Sequence, residues 1–64
     1  MIKKVKVGNG HKDFTEIEAG DTVFVNGKPI VVGDDAHYSG DASYDGWLLY
    51  DTNGEGWFPE DLDT

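Results

Sequence analysis

The chain has 64 residues, no cysteine, and a formal net charge of −8 at pH 7. A domain of this length buries only about 60% of its unfolded surface and has few residues left to hold catalytic groups in place, so we expect a binding domain and not an enzyme. The lack of cysteine excludes a disulfide framework and a thiolate metal site. The charged opening residues offer no apolar stretch for a signal peptide or membrane span, which predicts one soluble, cytoplasmic domain covering residues 1–64.

Charge is divided unevenly along the chain. All five basic residues are lysines that precede residue 29, whereas residues 33–64 hold nine carboxylates and no basic side chain other than His37. Such an acidic region should repel phosphates and anionic lipids, which argues against direct nucleic-acid or membrane binding and favours a basic protein partner. The alternative is that acidity only keeps a small protein soluble.

Strands are the elements that this sequence favours. Nine glycines interrupt the chain, so no amphipathic helix of ordinary length fits. Short runs rich in β-branched and aromatic residues predict five strands. In chain order these are residues 5–7, 22–25, 30–32, 47–50 and 56–58.

Two Asn-Gly pairs predict hairpin turns between neighbouring strands. Asn26-Gly27 and Asn53-Gly54 readily accept the positive φ angles of tight turns. Because Lys28 and Pro29 follow the first pair, we expect a loop there of more than two residues. Proline lacks a ladder donor, so Pro29 is expected to begin an edge strand.

Two further segments have their own signals. Residues 33–45 are rich in Gly, Ser, Ala and Asp, which predicts a mobile acidic loop. Tyr38 and Tyr44 lie in this segment and either fold it onto the domain or contact a partner. Residues 59–62 favour a single helical turn, since proline suits a first helical position and Glu60 and Asp61 complement its positive end.

No set of residues predicts a catalytic, cofactor or metal site. Residues 51–56 mimic the start of a calcium-binding loop, but Leu62 stands where the bidentate acid would be, and a hairpin turn explains the segment better. His11 and His37 lack the further ligands that zinc requires. Ser39 and Ser43 near His37 have too little surrounding structure to support nucleophilic chemistry.

Two stretches carry a family resemblance. Residues 16–25 contain an acidic-apolar run, then Gly20-Asp21, then a strand with alternating apolar residues. Residues 45–48 read Asp-Gly-Trp-Leu, and residues 54–62 read Gly-Glu-Gly-Trp-Phe-Pro-Glu-Asp-Leu. In order and spacing these stretches resemble the Src homology 3 domain. The resemblance implies an all-β fold, a small five-stranded barrel with one short helical turn near the C-terminus.

The resemblance also implies a binding surface. Family members bind proline-rich segments in a shallow aromatic groove, and by position Trp47 matches the groove tryptophan and Pro59 the groove proline. The family's closing tyrosine falls at Leu62, and its two early tyrosines fall near Val5 and Val7. Losing three tyrosines removes stacking faces and hydroxyl donors, so we expect a related barrel with a changed surface.

Our leading functional hypothesis is a protein-binding module that presents an acidic, aromatic surface to a basic partner. In one variant the carboxylates imitate nucleic-acid phosphates and block a host protein. Short acidic barrels of this kind resemble accessory proteins of bacterial viruses and mobile elements, some of which bind host proteins. The alternatives are proline-rich peptide recognition and a structural subunit of a larger assembly. The candidate partner-binding residues are Trp47, Tyr38, Tyr44, Asp34, Asp35, Asp41, Asp45, Pro59 and Leu62.

Overall fold

A computed structural model describes residues 4–64 and shows a mostly β protein. This span contains no α-helix, and the all-β prediction is confirmed to that extent. Two 3₁₀ turns lie at Phe14–Glu16 and Pro59–Asp61, the second where the sequence predicts it. The strands are β1 Lys4–Val7, β2 Gly10–Asp13, β3 Thr22–Val25, β4 Lys28–Val31, β5 His37–Gly40, β6 Asp45–Tyr50 and β7 Gly56–Trp57.

The strands form two antiparallel sheets. One sheet has the order β2-β1-β3-β4 and the other has the order β5-β6-β7. A single bridge between Val32 and Asp51 joins the end of β4 to the end of β6. Seven strands therefore replace the five that we predicted, and over residues 4–64 they do not form one closed barrel ladder. The strands missing from the prediction are β2 and β5, whose polar sequences lack apolar alternation.

The segment from 33 to 45 contains a strand, and the prediction of a mobile loop was wrong for its middle, residues 37–40. Residues 37–40 form β5, which pairs with β6 from His37 opposite Leu48 to Gly40 opposite Asp45. Only residues 41–44 remain as the hairpin loop, closed by a bond from the Tyr44 N–H to the Asp41 carbonyl. Pairing with the apolar β6 supplies the order that this polar segment could not supply alone.

The turn between β3 and β4 is also tighter than predicted. Asn26 and Gly27 are the entire loop, with φ angles of 52° and 82°. Two successive positive φ angles define the hairpin turn whose twist suits antiparallel strands. Pro29 lies inside the edge strand β4, and the expectation of an edge position is confirmed.

Asp63 joins two strands of the first sheet by hydrogen bonds. The Asp63 N–H donates to the Phe24 carbonyl at 2.8 Å, and the Lys6 N–H donates to the Asp63 carbonyl at 2.9 Å. The Asp63 carboxylate accepts the N–H groups of Asn26 and Gly27. Asp63 therefore lies between β1 and β3 and holds the turn that joins β3 to β4.

One apolar core lies under both sheets. Trp47 and Trp57 are half-buried and pack against its margin. Apolar burial contributes about 25 cal/mol per Å², so these side chains supply the main favourable term in so small a protein. The buried members are Val5, Phe14, Ile17, Val23, Val32, Leu49 and Leu62.

Candidate functional site

Strand alternation divides the candidate side chains between the two faces of the β5-β6-β7 sheet. Successive residues of a strand point to opposite faces, and Leu49 is buried in the core. Trp47 shares the face of Leu49, and Tyr38 lies directly opposite Trp47 in the β5–β6 register. We call this the core face; its end extends beyond the core and reaches solvent.

Three predicted residues meet at the exposed end of the core face. The Tyr38 and Trp47 rings contact edge to face with their centroids 6.2 Å apart. The Tyr38 hydroxyl donates a hydrogen bond to the Asp45 carboxylate, and this bond raises the pKa of the tyrosine. Tyr38 is 55% exposed, the largest exposure of any large apolar or aromatic side chain in residues 4–64. We call Tyr38, Asp45 and Trp47 the hairpin patch.

Tyr44 lies on the opposite, outer face of the same sheet. Its hydroxyl donates to the Trp47 carbonyl at 2.8 Å, and its ring lies 4.5 Å from the Phe58 ring. A Cβ on Gly46 would lie 2.9 Å from that hydroxyl, so Tyr44 covers the Gly46 side of the strand. Burial, followed by the nearby Glu60 and Asp61 charges, raises the pKa of Tyr44. The sequence grouped Tyr44 with Tyr38, and the structure separates them.

The outer face also carries an aromatic pair that sequence reasoning missed. The His37 and Tyr50 rings stack with their centroids 5.9 Å apart. Residue 37 lies in the segment that the sequence predicts as a loop, so the sequence offers no register that would bring His37 beside Tyr50. Recognising β5 would have placed His37 beside β6 and made this pair predictable from the register.

The predicted carboxylates lie at the two ends of β5 and do not form one cluster. Asp34 and Asp35 precede the strand, whereas Asp41 and Asp45 follow it, so about 13 Å of extended chain separates the pairs. Asp35 accepts the Ala19 N–H at 2.9 Å, and Asp41 accepts the Ser43 N–H at 3.4 Å. The Asp34 side chain makes no hydrogen bond or ion pair within residues 4–64 and remains exposed.

Two of the three groove positions taken from the family resemblance, Pro59 and Leu62, differ in exposure. Pro59 is half-buried at the start of the second 3₁₀ turn. Leu62 is only 3% exposed and belongs to the core, so its side chain is not on an accessible surface. An apolar side chain at this position packs inward because it has no hydroxyl to keep in water.

Residues 51–55 form the turn between β6 and β7, and Gly56 begins β7, as the hairpin interpretation of residues 51–56 predicts. The Asp51 carboxylate accepts the Asn53 and Glu55 N–H groups at 2.8 and 3.0 Å and the Trp57 indole N–H at 2.9 Å. Its oxygen atoms are therefore used inside the turn. Across residues 4–64 no group of three or more His, Cys, Asp or Glu side chains is arranged to hold a metal ion.

In the same span, no helix is long and apolar enough to cross a membrane. Comparisons with protein families, with curated proteins and with solved structures found no match to this chain. The assignment of a function therefore depends on the chemistry of the surfaces described above.

Proposed function

We propose that this protein is a non-enzymatic binding module that engages a basic protein partner through the hairpin patch and the carboxylates around it. The observation that carries the proposal is the exposed Tyr38 ring, held between Trp47 and Asp45 in the acidic half of the chain. Aromatic anchors fixed by their neighbours lose little side-chain entropy on binding, which is why Trp and Tyr are common at interface hot spots.

The electrostatics favour an arginine-rich or lysine-rich surface. A cation above the Tyr38 ring gains from the ring quadrupole, while Asp45 and Asp41 attract it at short range. Opposite surface potentials also speed association, and this effect weakens as salt is added. The same features support the nucleic-acid-mimic variant, in which the carboxylates occupy a surface that would otherwise bind phosphates.

We also propose that the fold is related to the Src homology 3 domain. The Gly20-Asp21 pair directly precedes β3, Asp45-Gly46-Trp47 begins β6, and Phe58-Pro59 leads from β7 into a 3₁₀ turn. These positions support a divergent Src homology 3-like barrel with the strand β5 inserted before β6. Proline-rich recognition has less support, because the side chain at the closing-tyrosine position, Leu62, is buried.

A capture experiment with matched tyrosine variants tests the binding proposal. Immobilised wild type, Tyr38→Ala and Tyr50→Ala are exposed to a bacterial lysate, and retained proteins are quantified by mass spectrometry. We expect wild type and Tyr50→Ala to retain the same basic protein, and Tyr38→Ala to lose at least nine-tenths of it, a loss of about 1.4 kcal/mol or more in affinity.

Tyr50 is a suitable control because it is also an exposed tyrosine, 38% accessible, on the outer face of the same sheet. Tyr50→Ala deletes the same chemical groups from the outer face and leaves the hairpin patch intact. Equal retention by all three proteins would mean that the hairpin patch is not the binding surface. Equal loss in both variants would show that either substitution disturbs the whole sheet, and this result would also contradict the proposal.

A further inference from the structure

The outer edge of β5 carries main-chain groups without a partner. Within residues 4–64, β5 pairs with β6 and with no other strand. The Ala36 N–H points away from β6, because it donates to the Ile17 carbonyl at 3.0 Å. Main-chain groups alternate sides along a strand, so Tyr38 and Gly40 also direct their N–H and C=O groups outward.

The hydrogen bonds of the neighbouring strand β6 are consistent with this alternation. The Tyr50 carbonyl accepts the Gly33 and Asp34 N–H groups, on the β5 side of β6. Leu48 and Gly46 share that orientation, so the register pairs that they form with His37 and Ser39 are the hydrogen-bonded pairs of the ladder. Neither Tyr38 nor Gly40 makes a backbone hydrogen bond outside this ladder in the described part of the chain.

From this arrangement we infer that an extended basic segment of a partner protein adds as a strand to the open edge of β5. This inference rests on the proposed function and specifies how the partner binds. The outward groups of Tyr38 and Gly40 would supply up to about four main-chain bonds to a segment of about four residues. Its alternate side chains would reach the hairpin patch, where Tyr38 and Asp45 suit arginine or lysine.

Charge selects a basic segment over a second copy of this chain. Both ends of β5 carry aspartates, and two copies joined at β5 would bring these like charges together at a net charge of −8 each. The other edges suit a basic segment less well. In β4, Pro29 lacks an N–H donor; β7 has two residues; and β2 lies beside Lys4 and Lys6.

The test uses a proline substitution that removes an N–H donor on the outward side of β5 and none on the side that faces β6. Gly40→Pro deletes the outward N–H and places a ring at the edge, while the inward bonds of Ser39 and Gly46 remain possible. Gly40→Ala is the matched control, since a Cβ there meets only the Tyr38 ring at 3.9 Å. Thermal unfolding of both variants shows whether they fold alike.

The probes are two labelled synthetic decapeptides of equal charge, both alternating lysine with threonine, and one of them is methylated at the backbone nitrogen of every lysine. In the pairing that places lysine side chains at the hairpin patch, the lysine N–H groups face β5, and methylation removes these donors. Fluorescence anisotropy should show wild type and Gly40→Ala binding the unmethylated threonine peptide at least tenfold more tightly than the methylated peptide. Gly40→Pro should abolish that preference.

Hydrogen exchange on the wild type gives an answer that does not depend on a variant. The unmethylated peptide should slow exchange at the Tyr38 and Gly40 amides at least tenfold. Equal affinity for the two peptides, no binding of either, or unchanged exchange at both amides would overturn the inference. A wild-type dimer that Gly40→Pro dissociates would also overturn it, because a second copy would then occupy the edge.

Binding through the hairpin patch and strand addition at β5 can fail separately. Capture of a basic protein that depends on Tyr38, combined with unchanged capture by Gly40→Pro, would leave the proposed function standing and remove strand addition. Suppose instead that Gly40→Pro abolishes peptide binding while Tyr38→Ala leaves protein capture unchanged. Strand addition would then stand, and binding of the partner through the hairpin patch would fall.

Discussion

At the scale of single residues, Asp51 has the most consequential local role. It is 6% exposed and its carboxylate accepts three N–H groups, two from the turn and one from Trp57. Its backbone carbonyl lies so close to Gly33 that a Cβ on that glycine would be 2.6 Å away. One aspartate thus fixes the β6–β7 turn, orients an indole at the core margin and adjoins the bridge between the sheets.

Replacing this carboxylate should destabilise the protein. Asp51→Asn replaces one accepting oxygen with an NH₂ group that faces donors, which leaves buried donors unpaired. We expect the melting temperature, followed by circular dichroism at pH 7, to fall by roughly 5–10 °C. Asp34→Asn removes an exposed carboxylate without a side-chain partner and should change the melting temperature little. Equal melting of the two variants would show that Asp51 does not organise the turn.

The same carboxylate predicts a pH dependence with a definite sign. The Trp57 N–H bond, followed by the backbone N–H bonds, holds the pKa of Asp51 below its usual value of 3.8. The unfolded chain therefore binds the proton first as the solution is acidified, and the stabilisation is present above about pH 4 and lost as pH falls through the lowered pKa. The melting difference between wild type and Asp51→Asn should be constant from pH 7 to 5 and shrink below pH 3.8. A difference that grows in acid would contradict this assignment.

At the scale of elements, the two-residue turn at Asn26 and Gly27 sets the β3–β4 register. Its positive φ angles favour glycine, and the Asp63 carboxylate binds both turn N–H groups. The loop length fixes the pairing of Thr22 with Val31 and of Val23 with Ile30. The conformation of this turn and the position of Asp63 therefore depend on each other.

Glycine at position 27 should be difficult to replace. A Cβ there meets no atom within 4 Å, so the cost of Gly27→Ala comes from its φ of 82° alone. We expect about 1 kcal/mol of lost unfolding free energy in urea denaturation. Gly10→Ala, in β2 with open space around it and no positive φ, should lose none. Equal losses at the two positions would argue against the tight turn.

Elements with apolar alternation could be predicted from the sequence, and those stabilised by a neighbour could not. Residues 5–7, 22–25 and 47–50 lie in observed strands because their own side chains favour a half-buried sheet. Gly10–Asp13 and His37–Gly40 are polar strands whose order comes from pairing with β1 and β6, and pairing cannot be inferred from composition.

The candidate site was predictable only in part for the same reason. The sequence singles out Tyr38, Asp45 and Trp47, but their meeting depends on β5, which lies in the predicted loop. The sequence groups Tyr44 with them because it offers no strand register that separates the two faces. Leu62 followed the family position, and its burial became evident only from the packing of the core.

At the scale of the whole molecule, the acidic half of the chain also contains the strand edge whose main-chain groups are unpaired within residues 4–64, the outer edge of β5. Lys4, Lys6 and Lys12 lie on the β1–β2 hairpin, with Lys12 paired to Asp21 at 2.9 Å. The β5–β6 hairpin lies in the acidic half and carries both the hairpin patch and an open strand edge. This arrangement supports the proposal of a basic, extended partner.

The salt dependence of the affinity for the captured partner tests binding through the acidic hairpin patch. Dissociation constants for wild type and Tyr38→Ala would be measured at about 50 and about 500 mM sodium chloride, where the Debye length falls from roughly 14 to roughly 4 Å. We predict that wild-type affinity falls at least tenfold with salt and that Tyr38→Ala is weaker at both concentrations. Affinity that is unchanged by salt and by loss of the Tyr38 ring would contradict it.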